Sequence, residues 1–164
     1  MSTRPARDKA VSTASAASLP EGYSRLHRNF AWQVPAQFNI AQVCSQRWAT
    51  RVDAATRIAI RSYADGSLQG SWTYAQLQEQ ANRLANVLTG LGVKRGDRVA
   101  IVMPQRFETA VVYMAVLQMG AVAMPLSMLF GPEALEYRLQ NSEAVLVIAD
   151  ALALPGLRLV RGAC

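Results

Sequence analysis

Apolar positions along the chain follow two kinds of repeat, one typical of helices and one typical of strands. The clearest helical repeat follows Trp72, where apolar side chains recur at alternating steps of four and three and share one face: Leu77, Ala81, Leu84, Leu88 and Leu91. Thr73 and Gln76 have the spacing of a capping box, and Trp72 with Leu77 that of a hydrophobic staple. The pattern predicts a helix that begins after Thr73 and ends in a Gly-Leu-Gly sequence.

A shorter helical pattern lies upstream, in "FNIAQVCSQRWA". Its side chains at the spacing of one helical face are Ile40, Val43, Cys44, Arg47 and Trp48. Asn39 is a favourable N-cap, and Phe38 before it is placed to pack against Val43. The pattern predicts a helix after Asn39 with this face turned toward the core.

Residues 57–72 have the alternation of a β-hairpin. "RIAIRSY" alternates polar and apolar positions, "ADGS" follows, and "LQGSW" returns as a second strand. Asp65-Gly66 is a strong signal for a two-residue turn between antiparallel strands.

Three short apolar runs alternate with two helical segments in the second half of the chain. The runs lie at 98–103, 120–126 and 144–150, and the helical segments at 106–119 and 131–141. The first helical segment is apolar around much of its circumference, so it is predicted to be buried. Short connections between these elements predict a right-handed βαβαβ unit on a parallel sheet. The predicted fold class is therefore α/β, a partial parallel βαβαβ layer preceded by a helix and a β-hairpin.

Composition narrows the function classes. Of 164 residues, 51% are apolar and 17% charged, which is enough for a globular core, and no apolar run approaches the ~18 residues of a membrane span. The net charge of +6 comes from scattered basic residues and not from a stripe with interleaved aromatics, so no nucleic-acid partner is expected. Cys44 and Cys164 suggest neither a disulfide framework nor a metal site, and His27, the one histidine, is interpreted as a bystander.

Residues 1–20 are small and polar and predict a disordered tail. Their Arg, Ser and Ala bias also resembles a mitochondrial transit peptide, although they contain Asp8 and have no clear amphipathic face. The expected compartment is the cytoplasm, with the mitochondrial matrix as the alternative if the tail is a targeting signal.

Ligands of open parallel sheets bind beyond the carboxyl ends of the strands, so functional residues are expected in the loops after the three apolar runs. No glycine-rich phosphate loop is present, and Lys94 precedes the first strand, at the wrong end for a ligand. Arg106 is either an anion ligand or a solvated side chain on the first helical turn, and Glu108 and Glu133 are explained by the helix dipole. "SMLFG" lines an apolar pocket or belongs to the core, and "RGD" at 95–97 is interpreted as chance. The residues alone assign no catalytic, cofactor-binding or metal-binding position.

Ordered motifs in residues 71–150 carry a family resemblance. They are W-T-Y-x-x-L, A-N-R-L-A, L-G-V-x-x-G-D-R-V-A-I, M-G-A-V-A-x-P-L and L-x-Y-R-L-x-x-S. Together they resemble the N-terminal part of the adenylate-forming (AMP-binding) acyl-CoA synthetases. The upstream "FNIAQVCSQRWA" is similar to the start of the medium-chain group.

The resemblance implies a two-step ligase that joins ATP and a carboxylic acid into an acyl-adenylate, assisted by Mg²⁺, and then transfers the acyl group to coenzyme A. The motifs that bind ATP in this family, and its catalytic Lys, match no position here. Residues 21–164 are therefore expected to be the N-terminal portion of a truncated AMP-binding domain, inactive alone, without a cofactor of its own and prone to self-association through exposed sheet edges. The alternative is an independent, non-catalytic α/β binding or interaction module.

Overall fold

The computed structural model describes residues 21–164, so the predicted tail at 1–20 lies outside the described residues. The chain divides into two compact units between Ala36 and Gln37. The described part of the first unit contains helix α1 (Glu21–Asn29), in which the ring of Tyr23 stacks on His27 with 6.1 Å between centroids.

The second unit passes through a hairpin into alternating strands and helices. Its elements are a π-helical turn (Gln42–Gln46), α2 (Arg47–Ala49), β1 (Ile58–Ala64), β2 (Ser67–Thr73), α3 (Tyr74–Gly90), β3 (Arg98–Val102), α4 (Phe107–Gln118), β4 (Val122–Pro125), α5 (Pro132–Ser142), β5 (Leu146–Ala149), a 3₁₀ turn (Ala151–Ala153) and α6 (Leu154–Val160). Within the described residues, β1 and β2 form an antiparallel pair, and a parallel sheet has the order β4-β3-β5. The predicted α/β class, with a parallel layer behind a helix and a hairpin, is confirmed.

The central strand β3 is buried on both faces, as expected for a parallel sheet covered by helices. Val99 and Ile101 enter a cluster with side chains of α3 and α4. Ala100 and Val102 point the other way, into a cluster with side chains of α5 and α6. The alternation of one five-residue strand therefore holds two helical layers onto one sheet. Helix α4 is buried as predicted, and Glu108 is its one exposed side chain.

The hairpin turns at the predicted place. Asp65 and Gly66 both have positive φ, 50° and 74°, the backbone combination of a type I′ turn. At the other end of the hairpin, the ring of Trp72 stacks on Phe107 with 4.7 Å between centroids and 5° between planes. This contact attaches the hairpin to the first turn of α4.

Helix α3 begins and ends as its sequence predicts. The Thr73 hydroxyl accepts a hydrogen bond from the backbone N–H of Gln76 at 3.2 Å, and the Gln76 side chain accepts one from the backbone N–H of Thr73 at 2.9 Å. At the other end, Gly92 has φ of +90°, and the N–H of Val93 bonds to the carbonyl of Leu88 at 3.0 Å. This is the Schellman arrangement, which requires a residue that tolerates a left-handed backbone.

The buried face of α3 differs from the predicted one at its C-terminal end. Leu91 is 65% exposed, because the helix ends at Gly90 and the turn that follows buries Val93 in its place. Gln78 and Ala85 are buried instead. Gln78 Nε2 donates hydrogen bonds of 2.8 Å to the side-chain oxygens of Asn82 and Gln118, whereas Gln78 Oε1 is buried without a hydrogen-bond partner among the described residues.

The upstream helical segment has its predicted N-cap but not its predicted face. Asn39 Oδ1 accepts from the backbone N–H of Gln42 at 3.2 Å, whereas Phe38, Ile40, Cys44 and Arg47 are exposed. The buried residues are Ala41 and Ser45. Their small side chains allow close approach, and Asn39 Nδ2 donates to the carbonyl of Leu117 in α4 at 2.8 Å, which fixes that side of the segment against the domain. The π-helical turn then shifts the later side chains away from regular 3.6-residue spacing.

The segment after β5 forms a 3₁₀ turn and helix α6. Asp150 caps this segment, since its Oδ1 accepts from the backbone N–H of Leu152 at 2.9 Å. Pro155 lies in the first turn of α6, where a proline is tolerated because it lacks an N–H. Both signals were present in the sequence.

Candidate functional site

The carboxyl edge of the parallel sheet is the place where this fold class binds ligands. Strands β3, β4 and β5 run parallel, so the segments that follow them meet at this edge. The N–H of Leu126 bonds to the carbonyl of Ile101, and the N–H of Asp150 to that of Val102, each at 2.9 Å. These bonds hold the loops after β4 and β5 beside the end of β3.

An ion pair between Arg106 and Asp150 occupies this edge. Asp150 is 11% exposed, so its charge is largely removed from water. Arg106 is the N-cap residue of α4, and its Nε also lies 3.9 Å from a carboxylate oxygen of Glu108. Arg106 is exposed, which agrees with its interpretation as a solvated side chain, and its guanidinium pairs with a carboxylate from another loop.

The other polar side chains near this edge have structural roles. The buried Thr109 hydroxyl donates to the carbonyl of Pro104 at 2.5 Å and so ties the loop after β3 to α4. Glu108 and Glu133 lie in the first turns of α4 and α5, where a carboxylate favours the helix dipole, as predicted. Lys94 lies before β3, at the opposite end of the strand from this edge.

The two short motifs have structural roles. In "SMLFG", Met128 and Phe130 pack partly against the core cluster of Ala100 and Val102, which supports the core interpretation for those two, whereas Leu129 is exposed. "RGD" at 95–97 forms the turn before β3, where Asp97 Oδ2 accepts from the backbone N–H of Lys94 at 2.7 Å.

The groups at the carboxyl edge do not fit ATP with Mg²⁺. A triphosphate needs free cationic or backbone N–H donors, but the Arg106 guanidinium already faces two carboxylates. Among residues 21–164, no group of three or more His, Cys, Asp or Glu side chains is arranged to hold a metal ion. In the same residues, no helix is both long and apolar enough to cross a membrane.

An apolar groove of about 810 Å³ runs along β5 between α3 and α6. Within the described residues, β5 is an edge strand that pairs with β3 on one side. The groove is lined on its helical sides by Leu84, Val87, Leu91, Leu157 and Arg158, among others, and on its floor by residues 144–149. Exposed sheet edges are predicted from the sequence, but this groove is not.

Comparison with known proteins shows which family the chain is related to. The sequence profile of the family described as "AMP-binding enzyme" matches residues 46–162. The long-chain-fatty-acid–CoA ligase FadD13 of Mycobacterium tuberculosis is 33% identical over 114 residues, 70% of this chain and 23% of that protein. The acyl-coenzyme A synthetase ACSM2, mitochondrial, of Rattus norvegicus is 36% identical over 121 residues, 71% of this chain and 21% of that protein.

Solved structures agree with the sequence comparison. The N-terminal domain of FACL13 from Mycobacterium tuberculosis superposes with a TM-score of 0.65 at 32% identity, over 76% of this chain and 30% of that one. This chain thus spans about a quarter of the length of the curated relatives it matches. The resemblance stated from the motifs is confirmed: the chain belongs to the AMP-binding enzyme family.

Proposed function

We propose that residues 21–164 are the N-terminal portion of an acyl-CoA synthetase that activates a carboxylic acid as an acyl-adenylate and transfers it to coenzyme A. The observation that carries the proposal is the family match over residues 46–162 together with relatives named as acyl-CoA ligases. ATP, Mg²⁺ and coenzyme A are the cofactors of the full reaction. FadD13 is named for long-chain fatty acids and the upstream motif resembles the medium-chain group, so the proposed substrate is a carboxylic acid with no chain length assigned.

The chain alone is proposed to be non-catalytic. The carboxyl edge of the sheet offers Arg106, which is paired with Asp150, and no glycine-rich loop to surround a triphosphate. The reaction needs positive charge where the leaving pyrophosphate develops negative charge, and this edge does not supply it. On this proposal the chain supplies scaffold and not the groups that perform the chemistry.

Titration of the 164-residue chain with ATP tests the non-catalytic proposal. We expect no saturable binding in the micromolar range by calorimetry, and no pyrophosphate release with C4 to C12 carboxylic acids. Full-length rat ACSM2, assayed in parallel, shows that the assay detects adenylation. Saturable micromolar ATP binding by the chain would contradict the proposal and favour a self-sufficient module.

A chimera tests the family activity. Residues 1–164 replace the matching portion of rat ACSM2, and the remaining portion without this chain serves as the negative control. Because the caps, turns and core of this chain agree with one another, we expect the chimera to fold and to release pyrophosphate with a carboxylic acid. A cooperatively melting chimera that activates neither medium-chain nor long-chain acids would show that the scaffold does not support this reaction.

Location and assembly follow from the same proposal. A cytoplasmic enzyme is proposed, with the mitochondrial matrix as the compartment if residues 1–20 direct import. The isolated chain is proposed to self-associate, a second copy covering the apolar groove along the β5 edge.

A further inference from the structure

Three arginines surround one tryptophan on the surface of the second unit. The guanidinium carbons of Arg47, Arg51 and Arg57 lie 4.6, 5.9 and 5.5 Å from the centroid of the Trp48 ring. Each distance is within the range of a cation–π contact, so the indole helps to hold three positive groups near one point. The second aromatic ring of this cluster belongs to Tyr74, at 5.9 Å from that of Trp48.

Carboxylate charge does not balance this cluster. Asp53 Oδ2 accepts hydrogen bonds from Arg57, one of them from Nε at 2.8 Å. Arg51 Nε lies 3.6 Å from Asp53 Oδ1, which is too long for a hydrogen bond. Within residues 21–164, Arg47 has no carboxylate within ion-pair distance. Arg51 and Arg57 therefore share one carboxylate, and Arg47 has none among the described residues.

The cluster is accessible to a ligand from solution. Arg51 and Arg57 are 55% and 40% exposed, and Arg47 is exposed as well. The guanidinium carbons of Arg47 and Arg51 are at most 10.5 Å apart, because both flank the Trp48 ring, and this upper limit is comparable with the Debye length of about 8–10 Å, so their repulsion is only partly screened. An anion between Arg47 and Arg51 would relieve that repulsion.

We propose that Arg47 and Arg51, positioned by Trp48 and Asp53, bind a phosphoryl group. A phosphoryl group carries up to two negative charges and three acceptor oxygens, which match two guanidinium forks better than a singly charged carboxylate does. The site is formed by residues 47–57 and does not involve the loops at the carboxyl edge of the sheet. It goes beyond the proposed ligase function, because no step of that reaction depends on it.

A titration of the full chain with pyrophosphate, at constant ionic strength, tests the proposal. The ¹⁵N-labelled arginine Nε–H signals report binding at each guanidinium, and we expect those of Arg47 and Arg51 to shift with a dissociation constant on the order of 1 mM. The double variant R47Q/R51Q should weaken binding roughly tenfold. R83Q removes the same kind of charge from an exposed pair with Glu79 and should change affinity less than twofold.

A second arm identifies the source of the phosphoryl group. Vesicles of phosphatidylcholine with or without 20% phosphatidic acid are sedimented with the chain, and the same variants are compared. Loss of pyrophosphate binding in R47Q/R51Q without vesicle binding supports a small soluble ligand, and loss of vesicle binding supports a lipid phosphomonoester. Equal weakening by R83Q, or no arginine-dependent binding in either arm, overturns the proposal. Thermal melts confirm that each variant is folded before its result is counted.

Discussion

At the scale of single residues, the Asp53 carboxylate links the segment after α2 to the start of the hairpin. The hydrogen bond from the Arg57 side chain lowers the pKa of Asp53 below its ordinary value, and the same bond raises the pKa of Arg57. The Asp53 carbonyl also accepts from the backbone N–H of Arg57 at 2.8 Å. One acidic side chain thus sets the loop geometry that delivers the chain into β1.

The pH dependence of stability should reveal this pair. The pKa of Asp53 is lower in the folded chain than in the unfolded chain. The ionised carboxylate therefore stabilises the fold fully above the unfolded pKa of about 3.9, and this stabilisation is lost as the pH falls through the folded pKa. We expect Asp53→Asn to lower the melting temperature at pH 7, and the difference from the parent to shrink below about pH 4. Glu79→Gln, which breaks an exposed pair on α3, is the matched control and should have little effect. A difference that persists unchanged to pH 2 would contradict the charged pair.

Single residues also differ in whether their role can be predicted from the sequence. Glu108 and Glu133 could be interpreted correctly, because the helix dipole acts within one turn of the chain. The partner of Arg106 could not, because Asp150 reaches it through the adjacency of β3 and β5, which local sequence does not encode. The cluster around Trp48 was missed for the same reason, since Arg57 returns to the ring only after the chain has turned.

At the scale of elements, local signals determine where helices and strands begin and end. The capping box of α3 and the Asp65-Gly66 turn use neighbouring residues alone, and both were predictable. The face a helix buries depends on its neighbours, so the predicted faces were wrong in part. Ser45 is buried because the π-helical turn that contains it packs against α3, and Leu91 is exposed because α3 has already ended.

Removing the cap tests how much one local signal contributes. Thr73→Ala deletes the hydroxyl that accepts from Gln76, and we expect the free energy of unfolding to fall by about 1 kcal/mol. Thr89→Ala is the control, since this exposed threonine lies inside the last turn of α3, where alanine has the higher helix propensity. Urea unfolding of both variants gives the comparison. A loss for Thr89→Ala as large as that for Thr73→Ala would mean that the cap is not the cause.

At the scale of the whole molecule, the described sheet has two covered faces and an accessible edge. Helices α3 and α4 cover one face and α5 and α6 the other, but the groove along β5 leaves apolar side chains in contact with water. Among them are Val87, Val145 and Leu154, all exposed. An edge strand within an apolar groove is a template for association, because it offers unpaired backbone groups together with apolar area.

A charge on the edge strand should therefore reduce the self-association that we propose for the isolated chain. Val147 on β5 lies in the groove and is 37% exposed, so Val147→Lys places an ammonium where a second copy would have to desolvate it. We expect the dissociation constant of the associated form to rise roughly tenfold or more, about 1.4 kcal/mol, in sedimentation equilibrium. Leu129→Lys adds the same charge at a side chain that is 92% exposed and outside the groove, and it should leave association unchanged. A parent chain that is monomeric at every concentration would contradict the proposed self-association. If both variants dissociate the associated form equally, the β5 edge is not the surface that joins the copies.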